Sequence, residues 1–392
     1  MGNVPVMRVH ILFVPSWYPS DEAPLLGTFF QEQAEALASV GHRVGVLSAS
    51  FHDMPSRGWF SSHVHDVQQT AEGNLMVLRA VERLRHPGPL QRIPSFYRAS
   101  VTQRSRLGMR MFEHYIESRG HPDVVHAQGS LWGGVIAHAM AGEHTIPWAV
   151  TEHTSTFARG IVGPRERRTA AATFQAASVV AAVSNSLAED LVQLLDLEVE
   201  FKILPNLIDG EQFPLQPAAG NSDFIWLSLS NLVDDKGHET LLSAFAKMDE
   251  GRLQIAGDGL LRSSLVRLSG ELGIADRVDF LGPIAREDVP TLFAGCDGFV
   301  HASRYETFGI VVLEALASGR PVVCTRCGGP QDILDDSNGL LVDVDDVDML
   351  AEAMQEASSS EWEATALRSS ALERFSKEEF VNKHIMLYES IL

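Results

Sequence analysis

Apolar and polar positions follow two rhythms along the chain. Short apolar runs bounded by Gly, Pro, Asn or Asp recur throughout, and most lead into a longer stretch with apolar residues three and four apart. The short runs predict buried strands and the longer stretches amphipathic helices. In the first half the predicted strands are 9–14, 41–47, 75–81, 123–128, 147–151, 178–184 and 201–204, with helices over 30–40, around 96–112 and from 131 onward. The second half predicts strands at 224–229, 253–256, 278–281, 298–301, 321–324 and 340–342. Its helices are expected near 237–247, 260–272, 286–294, 309–318, 345–356 and 377–392. Apolar strands alternating with helices imply parallel sheets covered on both faces. Two such sets imply two α/β domains with the carboxyl ends of their strands facing a cleft. The stretch 214–222, rich in Pro, Gly, Gln and Ala and without an apolar period, reads as the linker.

Composition supports two cores: 392 residues, 45% hydrophobic and 21% charged. The formal charge is -20, and five of 31 basic residues are Lys, leaving 31 - 5 = 26 Arg. Such a surface repels a phosphate backbone, which argues against nucleic acid as a partner. Residues 79–119 break the pattern, with nine Arg against three Glu, 9 - 3 = +6. Arg98, Arg104, Arg106 and Arg110 interleave there with Tyr97, Val101, Leu107 and Phe112. Two readings stay open: a face toward an anionic membrane or phosphorylated acceptor, or a packed helix with a solvated Arg side. Cys296, Cys324 and Cys327 are too few for a disulfide framework and fit a reducing, cytoplasmic compartment. Cys324 and Cys327 lack a second ligand pair, so buried thiols are expected and no metal site. The run 9–14 is too short for a signal peptide or membrane span.

The densest chemistry lies in Ser303-Arg304-Tyr305-Glu306-Thr307-Phe308-Gly309, followed by a helix-forming run that Gly319 and Pro321 stop. Gly309 opens the helix, whose first-turn amides and dipole suit a phosphate or an oxygen-rich ligand. Glu306 and Glu314 bracket that start, and a carboxylate accepts two hydroxyl hydrogen bonds at once. This run resembles the signature of the retaining family-four glycosyltransferases: two Glu separated by seven residues, Phe-Gly between them, then Glu-Ala-x-Ala-x-Gly-x-Pro-Val-Val.

The resemblance implies the GT-B architecture, two facing Rossmann-like domains with an interdomain cleft. It implies an acceptor-binding domain over 1–210, a nucleotide-sugar domain over 211–375 and a helix over 376–392 crossing back to the first domain. It assigns Glu306 to the donor sugar and Glu314 to the nucleotide ribose, with Phe308 and Gly309 beside the donor. Lys236, a compact cation after a strand, would neutralise the leaving diphosphate. The family's usual Arg five residues earlier is replaced by Asn231, so either another Arg, Arg304 or Arg326, substitutes or the diphosphate is held less tightly. Gly257 and Gly259 match a turn near the nucleotide, and Gly328-Gly329 could wrap the sugar and phosphate. Gly27 and Thr28 match the loop over the diphosphate. His153, at a strand end, matches a histidine beside donor sugar and acceptor, with Thr154 and Gln128 on the acceptor side.

The implied reaction moves a sugar, with retention, from a nucleotide-sugar, expected to be a UDP-sugar, to a hydroxyl acceptor, lipid-linked acceptors included. Cell-surface polysaccharide, glycolipid or small-molecule glycoside synthesis is the implied setting. No cofactor is expected, and transfer is expected to be metal-independent on the reading that the chain holds no Asp-x-Asp motif. No pair of carboxylates need act as in a glycosidase, because the leaving phosphate itself can take the acceptor proton. A peripheral position at the inner face of the membrane, through 79–119, is the localisation to test. The rivals are a same-fold epimerase or phosphorylase, and a silent sugar-nucleotide binder suggested by Asn231.

Overall fold

A computed structural model describes residues 8–24, 26–52, 67–84, 88–215 and 223–392. The linker expected at 214–222 therefore lies largely outside the described residues. Two compact units form: Met1–Val183 with Ala188–Leu204 and Val381–Leu392, and Ser184–Leu187 with Pro205–Phe380.

The first unit begins with β1 (His10–Pro15), α1 (Thr28–Ser39), β2 (Arg43–His52), β3 (Gln68–Glu72) and β4 (Leu75–Arg83). It continues through α2 (Pro94–Arg119), β5 (Val124–Gln128), α3 (Gly133–His144), β6 (Trp148–Glu152), α4 (Pro164–Ala176), β7 (Val179–Ala182), α5 (Asn185–Leu195) and β8 (Lys202–Ile203). The strands form one sheet in the order β3-β4-β2-β1-β5-β6-β7-β8. All pairings are parallel except the β3 edge. β1, β5 and β6 are buried throughout, as strands covered on both faces must be. β3 carries Gln68-Gln69-Thr70-Ala71-Glu72, nearly all exposed, so no apolar period announced it.

α2 buries Tyr97, Leu107, Met111, Phe112 and Tyr115. The picture of a uniformly solvated arginine face needs correction at Arg104, which is 6% exposed. Its guanidinium lies 3.9 Å from the Trp132 ring centroid and 4.7 Å from that of Phe51, a stacking that Arg tolerates because its planar head is weakly hydrated. Arg110 pairs with Glu82 at 2.9 Å, while Arg98 and Arg106 stay exposed.

The second unit contains β9 (Ile225–Leu229), α6 (His238–Phe245), β10 (Arg252–Ala256), α7 (Arg262–Glu271), β11 (Val278–Gly282), α8 (Val289–Ala294), β12 (Gly298–His301) and α9 (Ile310–Ala317). After these come β13 (Val322–Thr325), β14 (Gly339–Val342), α10 (Val347–Ser359), α11 (Ala364–Phe375) and α12 (Lys377–Glu389). Its sheet order is β11-β10-β9-β12-β13-β14, all parallel. Trp226, Leu241, Phe245, Leu253, Ile255 and Val300 fill the core, each such side chain contributing about 1.5–3 kcal/mol by leaving water. α11 buries only Leu367, Ala371 and Phe375, a stripe too thin to predict a helix from sequence.

Each sheet has a point where the strand order reverses, beside β1 in the first and β9 in the second. Open α/β sheets hold ligands outside the carboxyl ends of the strands at such points. α12 is divided between the units at Val381. Tyr388, within the first unit, bonds the buried His126 Nδ1 at 2.7 Å, while His126 Nε2 meets Thr151 Oγ1 at 2.8 Å. Burial holds the His126 pKa well below its ordinary value, so this imidazole is a neutral structural link between α12 and the sheet.

Candidate functional site

Four loops meet at the carboxyl ends of β9, β10, β12 and β13 in the second unit. β9 runs into Ser230-Asn231, where Ser230 N donates to Ala256 O at 3.1 Å and Leu232 N to Asp258 O at 2.9 Å. These bonds bring the 230–232 and 257–259 backbones so close that only glycine fits. A Cβ at Gly257 would lie 1.9 Å from the Ser230 carbonyl oxygen, and one at Gly259 2.4 Å from that of Leu232.

β12 ends in His301 and leads to Glu306, whose amide donates to Cys327 O at 2.7 Å while its carbonyl accepts from Gly329 N at 2.9 Å. Gly329 is obligatory here for packing, because a Cβ would fall 2.3 Å from Phe308 Cα. Ser184 Oγ adds a bond to Thr307 O at 2.7 Å. Glu306 thus sits on a clamped backbone directly before α9, where Gly309 takes a φ of 92° as the helix cap.

The Glu306 carboxylate accepts from His301 Nε2 at 2.8 Å and pairs through the same oxygen with the Lys236 ammonium. Burial alone would push its pKa up; the bond and charge of His301, with the Lys236 ammonium, outweigh burial and hold it at about 2. His238 is pushed down to about 4, chiefly by burial, and meets Ser230 Oγ at 3.0 Å. Glu314, 1% exposed on α9, is ion-paired with Arg286. The structure thus brings Lys236, Glu306, Phe308 and Gly309 together and arranges Asn231, Gly257 and Gly259 as adjoining loops.

Arg304 and Arg326 do not stand in for the arginine that Asn231 replaces. Arg304 is turned to Asp345 at 2.9 Å and Asp234 at 3.1 Å, and Arg326 to Asp343 at 3.7 Å. The expectation that the chain holds no Asp-x-Asp motif is wrong: Asp343-Val344-Asp345 and Asp346-Val347-Asp348 both have that spacing. Besides these pairs of Asp343 and Asp345, Asp346 caps α10 by accepting from Met349 N at 2.9 Å and Asp348 pairs with Lys247. Among the described residues, no group of three or more His, Cys, Asp or Glu is placed to hold a metal ion.

In the first unit, β6 delivers Glu152, His153 and Thr154. His153 Nε2 meets Gln128 Oε1 at 2.7 Å, and its ring packs edge-on against Phe30 at 4.9 Å and near Phe29 at 5.5 Å. Those two rings open α1, so Gly27 and Thr28 lie on the segment that backs His153. Gly27 itself packs on Trp17, where a Cβ would come within 2.9 Å of Cδ1. Thr154 Oγ1 bonds Thr156 Oγ1 at 3.0 Å.

In the sequence Glu152 is only the first of a polar cluster at a strand end, yet it organises this end of the sheet. One oxygen accepts from Ser130 N at 2.9 Å and Ser130 Oγ at 2.5 Å, the other from His153 N at 2.9 Å and Thr154 N at 3.0 Å. Beside it opens a cavity of about 720 Å³, also lined by Ser16, Trp17, Ser130 and Trp132.

Two family models adjoin along the chain. "Glycosyltransferase Family 4" matches residues 26–212 and "Glycosyl transferases group 1" matches residues 211–374. The chain belongs to the family-four glycosyltransferases. Among its relatives within and around that family is the lipopolysaccharide core biosynthesis glycosyltransferase LpsE of Rhizobium meliloti, 35% identical over 169 residues, 42% of this chain and 49% of LpsE. Another is N-acetyl-alpha-D-glucosaminyl L-malate synthase of Bacillus anthracis, 31% identical over 230 residues, 55% of this chain and 60% of that protein. The matches therefore span about half to three-fifths of these relatives' length. Solved structures share the fold over nearly the full chain. Sucrose-phosphate synthase of Thermosynechococcus elongatus has a TM-score of 0.74 at 20% identity, covering 97% of this chain and 98% of its own. HepE of Anabaena, in complex with UDP and glucose, has a TM-score of 0.68 at 20% identity, covering 98% and 100%. These neighbours establish the GT-B class of two parallel-sheet α/β domains for this family member. Among the described residues no helix is long and apolar enough to cross a membrane.

Within this family-four chain the Glu306 pairing makes a prediction about acid stability. A carboxyl held at about 2 in the folded state and 4.5 when free stabilises the fold above pH 4.5 and loses that contribution as pH falls toward 2. The stability gap between wild type and Glu306→Gln should therefore narrow from pH 5 to pH 2.5 in urea titrations. An unchanged gap would mean that charge pairing is not what holds Glu306.

Proposed function

We propose that the protein transfers a sugar from a nucleotide-sugar, in the first instance a UDP-sugar, to a hydroxyl acceptor, with retention and without a metal ion. The observation that carries this reading is the Lys236–Glu306 pair set before the α9 N-terminus at the second sheet's switch point. A diphosphate leaving group needs positive potential where charge develops, and Lys236 with the first-turn amides of α9 supplies it. Glu306, ionised at neutral pH, presents an acceptor for sugar hydroxyls while fixing the ammonium. Glu314, with Arg286 beside it, is the carboxylate for the ribose diol.

In the first unit, His153 held by Gln128 is placed to orient the acceptor hydroxyl, with Thr154 beside it. In a front-face displacement the departing phosphate oxygen takes the acceptor proton, so no second carboxylate is required. The names of the relatives support sugar transfer, and the HepE complex with UDP and glucose supports the donor class.

The test is a thermal-shift screen with UDP-, GDP- and ADP-sugars, because a ligand that binds only the folded state raises its melting temperature. One nucleotide-sugar should give a saturable rise that Glu314→Ala weakens; no rise with any of them overturns the reading. Turnover in excess chelator should match that in its absence, and recovery only on adding divalent ions would sink the metal-free part.

A further inference from the structure

We infer, building on the glycosyl-transfer reading, that the first unit's cavity takes an acceptor bearing a phosphate group, gripped by Arg92, Arg165 and Arg168. All three line the same space of about 720 Å³, in a chain whose formal charge is -20. That volume suits a small phosphorylated molecule or the head of a larger one.

Two of the three arginines sit where ordinary stability would not put them. Arg165 and Arg168 fall in the first turns of α4, which starts at Pro164, and cations there oppose the helix dipole. α3 begins beside the same cavity, just after Leu131 and Trp132, which line it. Two helix N-termini and three arginines, Arg92 and Arg168 of them exposed, thus border one space, an arrangement that a bound anion would relieve. Arg165 also donates to the Arg92 carbonyl oxygen, which ties the two segments together. Among the described residues no carboxylate is ion-paired with Arg92 or Arg168.

Two carboxylates line the cavity as well and do not cancel this. Glu152 spends both oxygens on four donors at the floor. Glu166 lies over Gly163 in the α4 N-terminal turn, the place the dipole favours for a carboxylate. Trp17, Trp132 and the exposed Ile161 add apolar wall for the non-phosphate part of the acceptor.

The experiment is calorimetric titration at low salt with inorganic phosphate, glycerol 3-phosphate and glycerol. Wild type should bind both phosphates saturably and glycerol not at all. The Arg92→Gln/Arg168→Gln double variant, checked for an unchanged melting temperature, should bind at least about tenfold more weakly, and Arg92→Lys/Arg168→Lys should recover part of the loss. Lys236→Ala should retain the binding, which separates this anion from one at the diphosphate site. Sedimentation with phosphatidylcholine vesicles, with and without phosphatidic acid, distinguishes the source: acid-dependent binding lost in the Gln variant points to a lipid-borne phosphate, and binding of the soluble phosphates alone to a free one. Equal affinity of the Gln variant and wild type, loss only in Lys236→Ala, or glycerol binding as tightly as its phosphate would overturn the proposal. Nucleotide-sugar binding with no phosphate binding here would sink this site alone, whereas the reverse pattern would sink the donor reading and leave the site standing.

Discussion

Lys236→Ala should lower kcat about a thousandfold while KM for the nucleotide-sugar changes far less. The ammonium acts where charge develops on the departing diphosphate, and an interaction made chiefly in the transition state appears in kcat. The substitution also leaves Glu306 with His301 as its remaining side-chain partner, so the Glu306 pKa should climb from about 2 and the acid limb of the pH–rate profile should move upward. Steady-state kinetics from pH 3.5 to 9 on wild type, Lys236→Ala and Lys236→Arg would show both effects, with the arginine variant intermediate. A loss under tenfold would remove Lys236 from the reaction and leave it as a structural partner of Glu306.

Gly257→Ala should have the largest effect on stability. The new methyl meets a backbone oxygen 1.9 Å away at a φ of 130°, where an L side chain is strained, and neither partner can swing aside. A cost of about 3–5 kcal/mol follows from strain plus displacement of the 230–232 loop, or a melting point lower by about 10 °C in the second unit. Gly270→Ala makes the matched control: it lies on α7 with nothing within 4 Å of the added carbon and should be neutral or stabilising by up to about 1 kcal/mol. Calorimetry on the two variants decides the matter, and equal melting points would refute the close approach of the two loops. Because Asn231 lies on the displaced loop, nucleotide-sugar binding should fall in Gly257→Ala as well.

The run from Ser303 to Val323 announced its structure clearly, because polar loop, capping glycine, apolar helix and β-branched strand each leave a local mark. β3, α4 and α11 left little mark, whereas α5 was missed although Leu187, Leu191 and Leu195 recur four apart and are buried. β3 is a polar edge, and α4 buries only Ala170, Thr173 and Phe174. The glycine pair Gly328-Gly329 suggested a flexible wrap for a ligand; in the fold it is the close contact that seats Glu306 and Phe308. His301 and Arg286 had no signal and Glu152 none beyond its place in a polar strand-end cluster, since a single titratable residue looks the same whether it props a neighbour or faces water.

The sequence by itself determined the two parallel-sheet halves, the positions of the turns and the helix start that places Gly309, because hydrophobic period and turn chemistry are properties of neighbouring residues. Only the tertiary structure decided that Lys236 and His301 share one oxygen of Glu306, that Arg304 answers Asp345, and that Arg92 shares a cavity with two arginines of α4. Lys236 and Glu306 are 70 residues apart in the chain, and no local rule assigns a charge its partner at that distance. The partner is chosen by which strand ends the sheet order brings side by side.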